Sequence, residues 1–259
     1  MKKVKSSERI YLTCLESGKR IIPLELIRSW KLAKDSSLNV IMHRLCKEKK
    51  LLRIKRGLFY VLRPGEEHID NIYEVALAIY PGYLGFSTAL ELRGLMDEMS
   101  FTIYVITSHT RGRRQMGEYE IKAVPLGRRA FGFERLGDYN VSTVAKTIYD
   151  CLKKPGFAGG YPKVLRAVYY AEMKNEDWEE LLYYLEKFEK GSFLRKTGYL
   201  VELLKKETGK RIPDWVFRRL RKKKGGKAWL GRGKGTHNRR WNVMDCMGKS
   251  ALLSWWYHG

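Results

Sequence analysis

The sequence predicts an α+β protein with a small helical unit at its N-terminus, followed by a mixed α/β domain that ends in helices and a basic tail. Helical apolar spacing near the start of the chain, extended segments directly after it and again mid-chain, and basic residues at both ends give this prediction. We divide the chain into residues 1–65, 66–217 and 218–259. Pro64 and Gly65 interrupt the pattern at the first boundary, where the charge changes sign, and the basic run begins at the second.

The first part of the chain contains three helical patterns. A first helix is predicted over residues 7–18 and a second over residues 23–30, where Pro stands at the first helical position. A third begins at a cap provided by Asp35 or Ser36. Its apolar residues recur at i, i+3, i+4 and i+7, namely Leu38, Ile41, Met42 and Leu45.

An extended pattern follows the third helix. Residues 52–54 and 58–62 read as two strands of a hairpin, with Gly57 supplying the turn. Three helices and a basic hairpin in this order are typical of a winged helix-turn-helix, in which the third helix enters the major groove of DNA and the hairpin contacts the backbone.

The polar face of the third helix and the hairpin supply the candidate contacts. Side chains suited to base edges are Ser37, Asn39, His43 and Arg44. Cations suited to phosphates are Lys47, Lys50, Arg53, Lys55 and Arg56. Two alternatives stay open: the polar face is only a solvated helix face, or the winged helix docks onto a protein.

The distribution of charge favours a nucleic acid as partner. The net charge is +23, of which residues 1–65 carry +12 and residues 218–259 carry +11, whereas residues 66–150 carry −3 and residues 151–217 carry +3. Two basic ends around a near-neutral centre suit contact with a polyanion. The alternative is a thermophilic protein with a Lys-rich surface, which the single glutamine, Gln115, also suggests.

The middle of the chain predicts helices and strands that do not form repeated βαβ units. We expect helices over residues 68–79 and 87–95, the second capped by Ser87, and strands over residues 101–107 and 118–125, separated by a basic loop. Further helices are expected over residues 142–152, 161–173, 177–187 and 194–207.

The middle and end of the chain resemble a known family. The segments FSTALELRGL at 86–95, FTIYVITS, YEIKAVP, VSTVAKTIYDCLKKPGFAGG at 141–160, GYLVELL at 198–204 and RRWNV at 239–243 are similar to antitoxin-regulators of the AbiEi type. This resemblance, over about residues 7–245, implies a winged helix that represses its own operon and a C-terminal domain that neutralises a nucleotidyltransferase-like toxin. The basic run at 218–240 and the tail from Met247 depart from the family pattern.

The basic tail offers additional contacts to DNA. Its candidate residues are Arg218, Arg219, Arg221, Lys222, Lys223, Lys224, Arg232, Lys234, Arg239 and Arg240. Interleaved aromatic residues suit stacking with unpaired bases, but we favour terminal strands at 227–230 and 239–243 whose tryptophans pack on the last helices. The final apolar stretch at 252–257 either packs on the core or mediates a homodimer.

No enzymatic or metal-binding motif is convincing. Glu120 and Lys122 with Asp97 faintly resemble a metal-dependent nuclease, yet such a triplet is expected by chance in so charged a chain. The glycine-rich segment at 231–235 lacks the Lys-Ser or Lys-Thr pair of a phosphate-binding loop, and we predict a flexible turn. The four cysteines lie too far apart in sequence for a zinc or disulfide pattern.

Taken together, these features predict a sequence-specific double-stranded DNA-binding transcriptional regulator, not an enzyme, without metal or cofactor. An antitoxin-like interaction protein is the alternative, and a nuclease is the third. No apolar run reaches the roughly 20 residues of a membrane span and no signal-peptide core follows Met1, so we expect a cytoplasmic protein.

Overall fold

The computed structural model describes residues 5–98, 100–222 and 225–258. The N-terminal unit consists of α1 (Ser6–Glu16), β1 (Ile21–Pro23), α2 (Leu24–Ser29), α3 (Asp35–Lys47), β2 (Leu51–Lys55) and β3 (Leu58–Val61). Its strands form an antiparallel sheet in the order β1-β3-β2. The predicted helices and hairpin are therefore present, and Gly57 adopts a φ of 73° between the hairpin strands. The sequence analysis missed β1, which is only three residues long.

A six-stranded mixed sheet forms the centre of the molecule. Its elements are α4 (Ile72–Ile79), β4 (Tyr83–Leu84), α5 (Phe86–Leu92), β5 (Thr102–Thr107), β6 (Gly112–Met116), β7 (Tyr119–Pro125), β8 (Phe133–Leu136) and β9 (Tyr139–Ser142). The strand order is β6-β7-β5-β4-β9-β8, in which the β5–β7 and β4–β9 pairs are parallel and the others antiparallel. The fold is α+β, as predicted.

Helices and a small second sheet complete the chain. They are α6 (Val144–Lys153), α7 (Tyr161–Tyr170), α8 (Asn175–Phe188), α9 (Gly191–Thr208), α10 (Asp214–Lys222), β10 (Ala228–Leu230), β11 (Thr236–Asn238), β12 (Val243–Asp245), α11 (Lys249–Leu252) and α12 (Ser254–Tyr257). The small sheet has the order β10-β12-β11. Leu252 and Leu253 are fully buried in the core of the helical layer, so the final apolar stretch begins in the core, whereas Trp256 and Tyr257 are 39% and 40% exposed.

The β2–β3 hairpin packs on both of its faces, against the helices of the N-terminal unit on one and toward the central sheet on the other. One face, which includes Phe59 and Val61, packs against α1, α2 and α3. The other face presents Ile54, Tyr60 and Leu62 to α4 and to one side of the central sheet. Both faces of the hairpin are thus occupied by apolar residues, and its position is set from two sides.

Polar contacts join the chain on the two sides of the domain boundary predicted at residue 65. Arg20 donates to Glu66 at 2.7 Å and to the hydroxyl of Tyr60 at 2.9 Å. The same hydroxyl accepts a hydrogen bond from the backbone N–H of Asp70 at 3.1 Å. The segment that follows the hairpin therefore lies against it. Glu66 and Asp70 come just after the predicted linker residues Pro64 and Gly65, and both are joined to Tyr60 of the hairpin, Glu66 through Arg20 and Asp70 directly.

Three predictions for the middle of the chain are wrong in detail. The first central helix begins at Ile72 and not at residue 68, because the Asn71 side chain caps it by accepting from the N–H of Glu74. Ser87 is not a cap: Gly85 has that position, and Ser87 is buried inside α5. The basic loop between the two predicted strands forms β6, which pairs along the edge of β7.

The end of the chain also differs from the prediction. The boundary placed between residues 217 and 218 falls inside α10, because the basic run continues an amphipathic helix whose buried residues are Val216, Phe217 and Leu220. The last strand begins at Val243, later than the predicted segment 239–243, since Asn242 has a φ of 51°. Trp241 is 1% exposed and packs in the helical core, as predicted.

Candidate nucleic-acid interface

Helix α3 has one buried and one exposed face. Leu38, Met42 and Leu45 are buried against the other helices and the hairpin. The opposite face leaves exposed the five predicted helix residues Ser37, Asn39, His43, Arg44 and Lys47. Because helical residues three or four positions apart share a face, Asn39 and His43 lie next to each other on it.

An open cleft separates this face from the hairpin. Asn39 and His43 of α3 line one side, and the cleft has a volume of about 670 Å³. Arg53 and Arg56 of the hairpin line the other side, together with Arg28 of α2. One acidic residue, Glu25, belongs to the lining. Residues predicted from two separate segments therefore meet around one concave surface with three arginines and one carboxylate.

A β-bulge decides which hairpin cations face the cleft. Arg53 pairs with Phe59 and Lys55 pairs with Leu58, so one residue of β2 is inserted between two consecutive pairs. Strict alternation would give Arg53 and Lys55 the same face. The bulge instead directs Lys55 to the opposite face, where Leu58 also packs.

Lys55 consequently lies away from the predicted interface. Its Nζ atom donates to the backbone oxygens of Ala78 at 2.8 Å and Ile79 at 3.2 Å. These carbonyls are at the C-terminal end of α4, where a cation is favourable because the helix dipole is negative there. Lys55 thus attaches the hairpin to α4 and, contrary to the prediction, does not face the cleft.

Lys50 is also occupied within the unit. Its Nζ atom is 2.7 Å from Oε2 of Glu8 and 3.3 Å from Oε2 of Glu48, and it lies over the ring of Tyr11. The hydrogen bond to Glu8 raises the pKa of Lys50 above its ordinary value. This lysine links the end of α3 to α1, a position remote from the cleft lining.

Arg44 lies at the margin of the exposed face. Its Nε atom donates to Glu48 at 2.8 Å, and this hydrogen bond, with one from Lys50, lowers the pKa of Glu48. The arginine side chain is 52% exposed, and solvent screens an ion pair of this type. Arg44 can therefore exchange Glu48 for another acceptor at small cost.

Sequence reasoning missed one residue of this face. Val40 is 70% exposed between Asn39 and His43, a large exposed fraction for an apolar side chain. The signal was present in the sequence, because Val40 lies outside the apolar stripe of α3. An exposed aliphatic side chain on such a face suits contact with the methyl group of thymine.

The predicted cations of the tail are scattered. Arg219 binds Glu179 and Glu186, and Arg240 is 3.0 Å from Glu202. Exposed members are Arg218, Arg221, Lys222, Arg232, Lys234 and Arg239. Lys223 and Lys224 lie outside the described residues. The tail therefore does not form one basic cluster.

Each of the three residues that suggested a nuclease, Glu120, Lys122 and Asp97, contacts a different partner. Glu120 pairs with Arg113, and Asp97 pairs with Arg166 of α7. The Nζ atom of Lys122 lies over the rings of Tyr104 and Phe157. In the described part of the chain, no group of three His, Cys, Asp or Glu side chains is arranged to hold a metal ion.

Neither protein families nor curated sequences gave a match to this chain. None of the described helices is long and apolar enough to cross a membrane.

Proposed function

We propose that the N-terminal unit is a winged helix that binds double-stranded DNA and reads its sequence. The observation that carries the proposal is the cleft in which Asn39 and His43 of α3 face Arg53 and Arg56 of the hairpin. In this arrangement α3 enters the major groove and the hairpin contacts the adjacent phosphates.

The dimensions of α3 fit this role. An α-helix with its side chains is about 10–12 Å wide and the major groove is about 12 Å wide, so the groove admits one helix. The exposed side of α3 offers chemically distinct groups to base edges. Asn39 can form a two-point contact with adenine, and Val40 can contact a thymine methyl group. Arg44 can contact guanine after leaving Glu48.

The cations around the cleft supply the sequence-independent part of binding. Arg53 and Arg56 are exposed, as is Lys47 at the end of α3. No ion pair within the described residues involves these three side chains, so phosphate does not have to displace a carboxylate from them. Contacts of this kind position the protein on the duplex, while base contacts on α3 specify the sequence.

Fluorescence anisotropy tests the proposal. A labelled duplex from the protein's own promoter is compared with a scrambled duplex at physiological salt, with excess unlabelled competitor. We expect at least about tenfold preference for the promoter, the effect of one good base contact. Asn39→Ala should reduce this preference, whereas the matched phosphate variant Lys47→Ala should weaken binding to both duplexes equally. Equal binding of both duplexes by the unmodified protein would contradict sequence reading.

The resemblance to AbiEi antitoxins supports a more specific form of this proposal, in which the protein is an autorepressor. A reporter under the protein's own promoter should then be repressed by the protein and released by the cleft variant Arg53→Ala/Arg56→Ala. Repression that survives this variant would contradict autoregulation through the cleft.

The alternative function, neutralisation of a nucleotidyltransferase-like toxin, rests on the same resemblance. It predicts that a nucleotidyltransferase is encoded beside this protein, and that coexpression of the two restores the growth of a host that the nucleotidyltransferase arrests. The cleft variant should restore growth equally well, which would separate this function from DNA binding. Continued arrest in the presence of the folded protein would count against it.

A further inference from the structure

The outer face of the small C-terminal sheet carries a row of three side chains. Trp229 of β10 and His237 of β11 both pair with Met244 of β12 in the strand register. Residues directly opposite each other in a sheet point to the same side, so these three form one row across the strands. Two strand spacings separate the outer rings by about 10 Å.

The two faces of this sheet differ in exposure. Ala228, Leu230 and Val243 point inward and are at most 6% exposed. Trp229 is 54% exposed, and His237, at the other end of the row, is also exposed. The alternation of the strands therefore places a large aromatic side chain in solvent, although a tryptophan of the same segment, Trp241, is buried.

Basic residues flank the strands of this row in the sequence, and one of them, Arg240, is paired with Glu202 of α9. Residues 225–244 contain five basic and no acidic residues, and the basic ones are Lys227, Arg232, Lys234, Arg239 and Arg240. The Nζ atom of Lys227 lies 5.4 Å from the centre of the Trp229 ring. Asp245, which follows, is buried and accepts hydrogen bonds from Tyr199 and from two backbone N–H groups. The face is therefore complementary to a polyanion.

The turn between β10 and β11 is held by backbone contacts that favour glycine. A Cβ atom at Gly235 would lie 2.2 Å from the carbonyl oxygen of Asp245, so only glycine permits this approach. Gly233 has a φ of 100°, and its carbonyl accepts from Sγ of Cys246 at 3.2 Å. Arg232 and Lys234 alternate with these glycines and are exposed in this turn.

We propose that this face binds single-stranded nucleic acid, with one base stacked on Trp229 and the neighbouring phosphates bound by Lys227 and the turn cations. An unpaired base exposes a π-face that can stack on an aromatic ring, whereas a duplex keeps its bases stacked on each other. Hydrogen bonding between Nε2 of His237 and Oδ1 of Asn242 at 3.0 Å fixes the second ring of the row. This site is separate from the cleft of the N-terminal unit and does not depend on the function proposed for it.

Two variants of Trp229 in the full-length protein test the stacking. Trp229→Leu keeps an apolar side chain without a π-face, and Trp229→Phe keeps an aromatic ring. With labelled oligothymidylate as probe at physiological salt, we expect Trp229→Leu to weaken binding about tenfold and Trp229→Phe to stay within about threefold of the unmodified protein. Both should bind the promoter duplex unchanged, and both should melt at the temperature of the unmodified protein.

The cleft variant Arg53→Ala/Arg56→Ala provides the matched control. It should weaken duplex binding and leave oligothymidylate binding unchanged. The proposal is overturned if the unmodified protein does not bind oligothymidylate, if Trp229→Leu binds it as well as Trp229→Phe does, or if the cleft variant loses it. Equal loss of single-strand and duplex binding in Trp229→Leu would also overturn it, because the face would then belong to the duplex site.

Discussion

The two basic ends of the chain carry almost the same charge but use it differently. Residues 1–65 have a net charge of +12 and residues 218–259 one of +11. In the N-terminal unit, Arg53 and Arg56 converge on one cleft with residues of α3. At the other end, Arg219 and Arg240 are held by glutamates of α8 and α9.

A count of basic residues therefore does not locate a binding surface. What matters is which acidic side chains the fold brings to each cation. In the sequence, nothing distinguishes Lys50 and Arg219 from the basic residues next to them. In the structure, each of the two contacts two glutamates. The cations left for a ligand are those that the fold directs away from such partners.

The largest effect is expected from the tryptophans of the C-terminal end. Trp241→Ala should lower the free energy of unfolding by about 4 kcal/mol, because the buried ring leaves a cavity beside Gly198 and its Nε1 atom no longer donates to buried Glu202. Urea denaturation measures the loss. Trp229→Ala is the matched control and should change stability by no more than about 0.5 kcal/mol. Similar losses in both variants would contradict the assigned burial.

The second effect concerns the cleft and the salt dependence of duplex binding. Arg53→Ala/Arg56→Ala should weaken binding about tenfold or more and make the slope of log affinity against log salt shallower by about 1.8, since two phosphate contacts are lost. Titrations at several salt concentrations give the slope. Arg218→Ala, an exposed arginine at the other end, should leave the slope unchanged; an equal change would mean that the two ends contribute alike.

A smaller effect separates two neighbouring cations of the hairpin. Lys55→Met should lower the free energy of unfolding by about 1 kcal/mol, because the carbonyls at the end of α4 lose a charged donor, and it should leave duplex affinity unchanged. Arg56→Met should weaken duplex binding and leave the free energy of unfolding unchanged. Urea denaturation and anisotropy on both proteins measure the two quantities. Loss of affinity in Lys55→Met without loss of stability would return this lysine to the interface.

An effect of about the same size is expected in α10. Arg219→Ala should lower the free energy of unfolding by about 1 kcal/mol, because Arg219 contacts two partly exposed glutamates, Glu179 and Glu186, with a guanidinium that is itself partly exposed. Arg218→Ala, next to it but exposed, should leave stability within about 0.5 kcal/mol. Equal stability of both variants, measured by urea denaturation, would show that the ion pairs of Arg219 contribute nothing.

The parts of the fold that the sequence predicts are those with a strong local pattern. Helix α3 was expected from its apolar spacing, and the hairpin from its alternation around Gly57. The short strands β1 and β4 were missed, because two or three residues carry no periodic signal and are stabilised by strands distant in sequence. The edge strand β6 was read as a loop, since its alternation is between basic and other polar residues.

The candidate site divides in the same way. The exposed side chains of α3 can be predicted from the sequence, because helical periodicity fixes a face once the apolar residues are known. The partners of the cations depend instead on how the chain folds: Arg53 and Arg56 face Asn39, whereas Lys55 binds α4 and Lys50 binds Glu8. A single bulged residue in β2 reverses the side to which Lys55 points, and strand pairing, not the local pattern, produces that bulge.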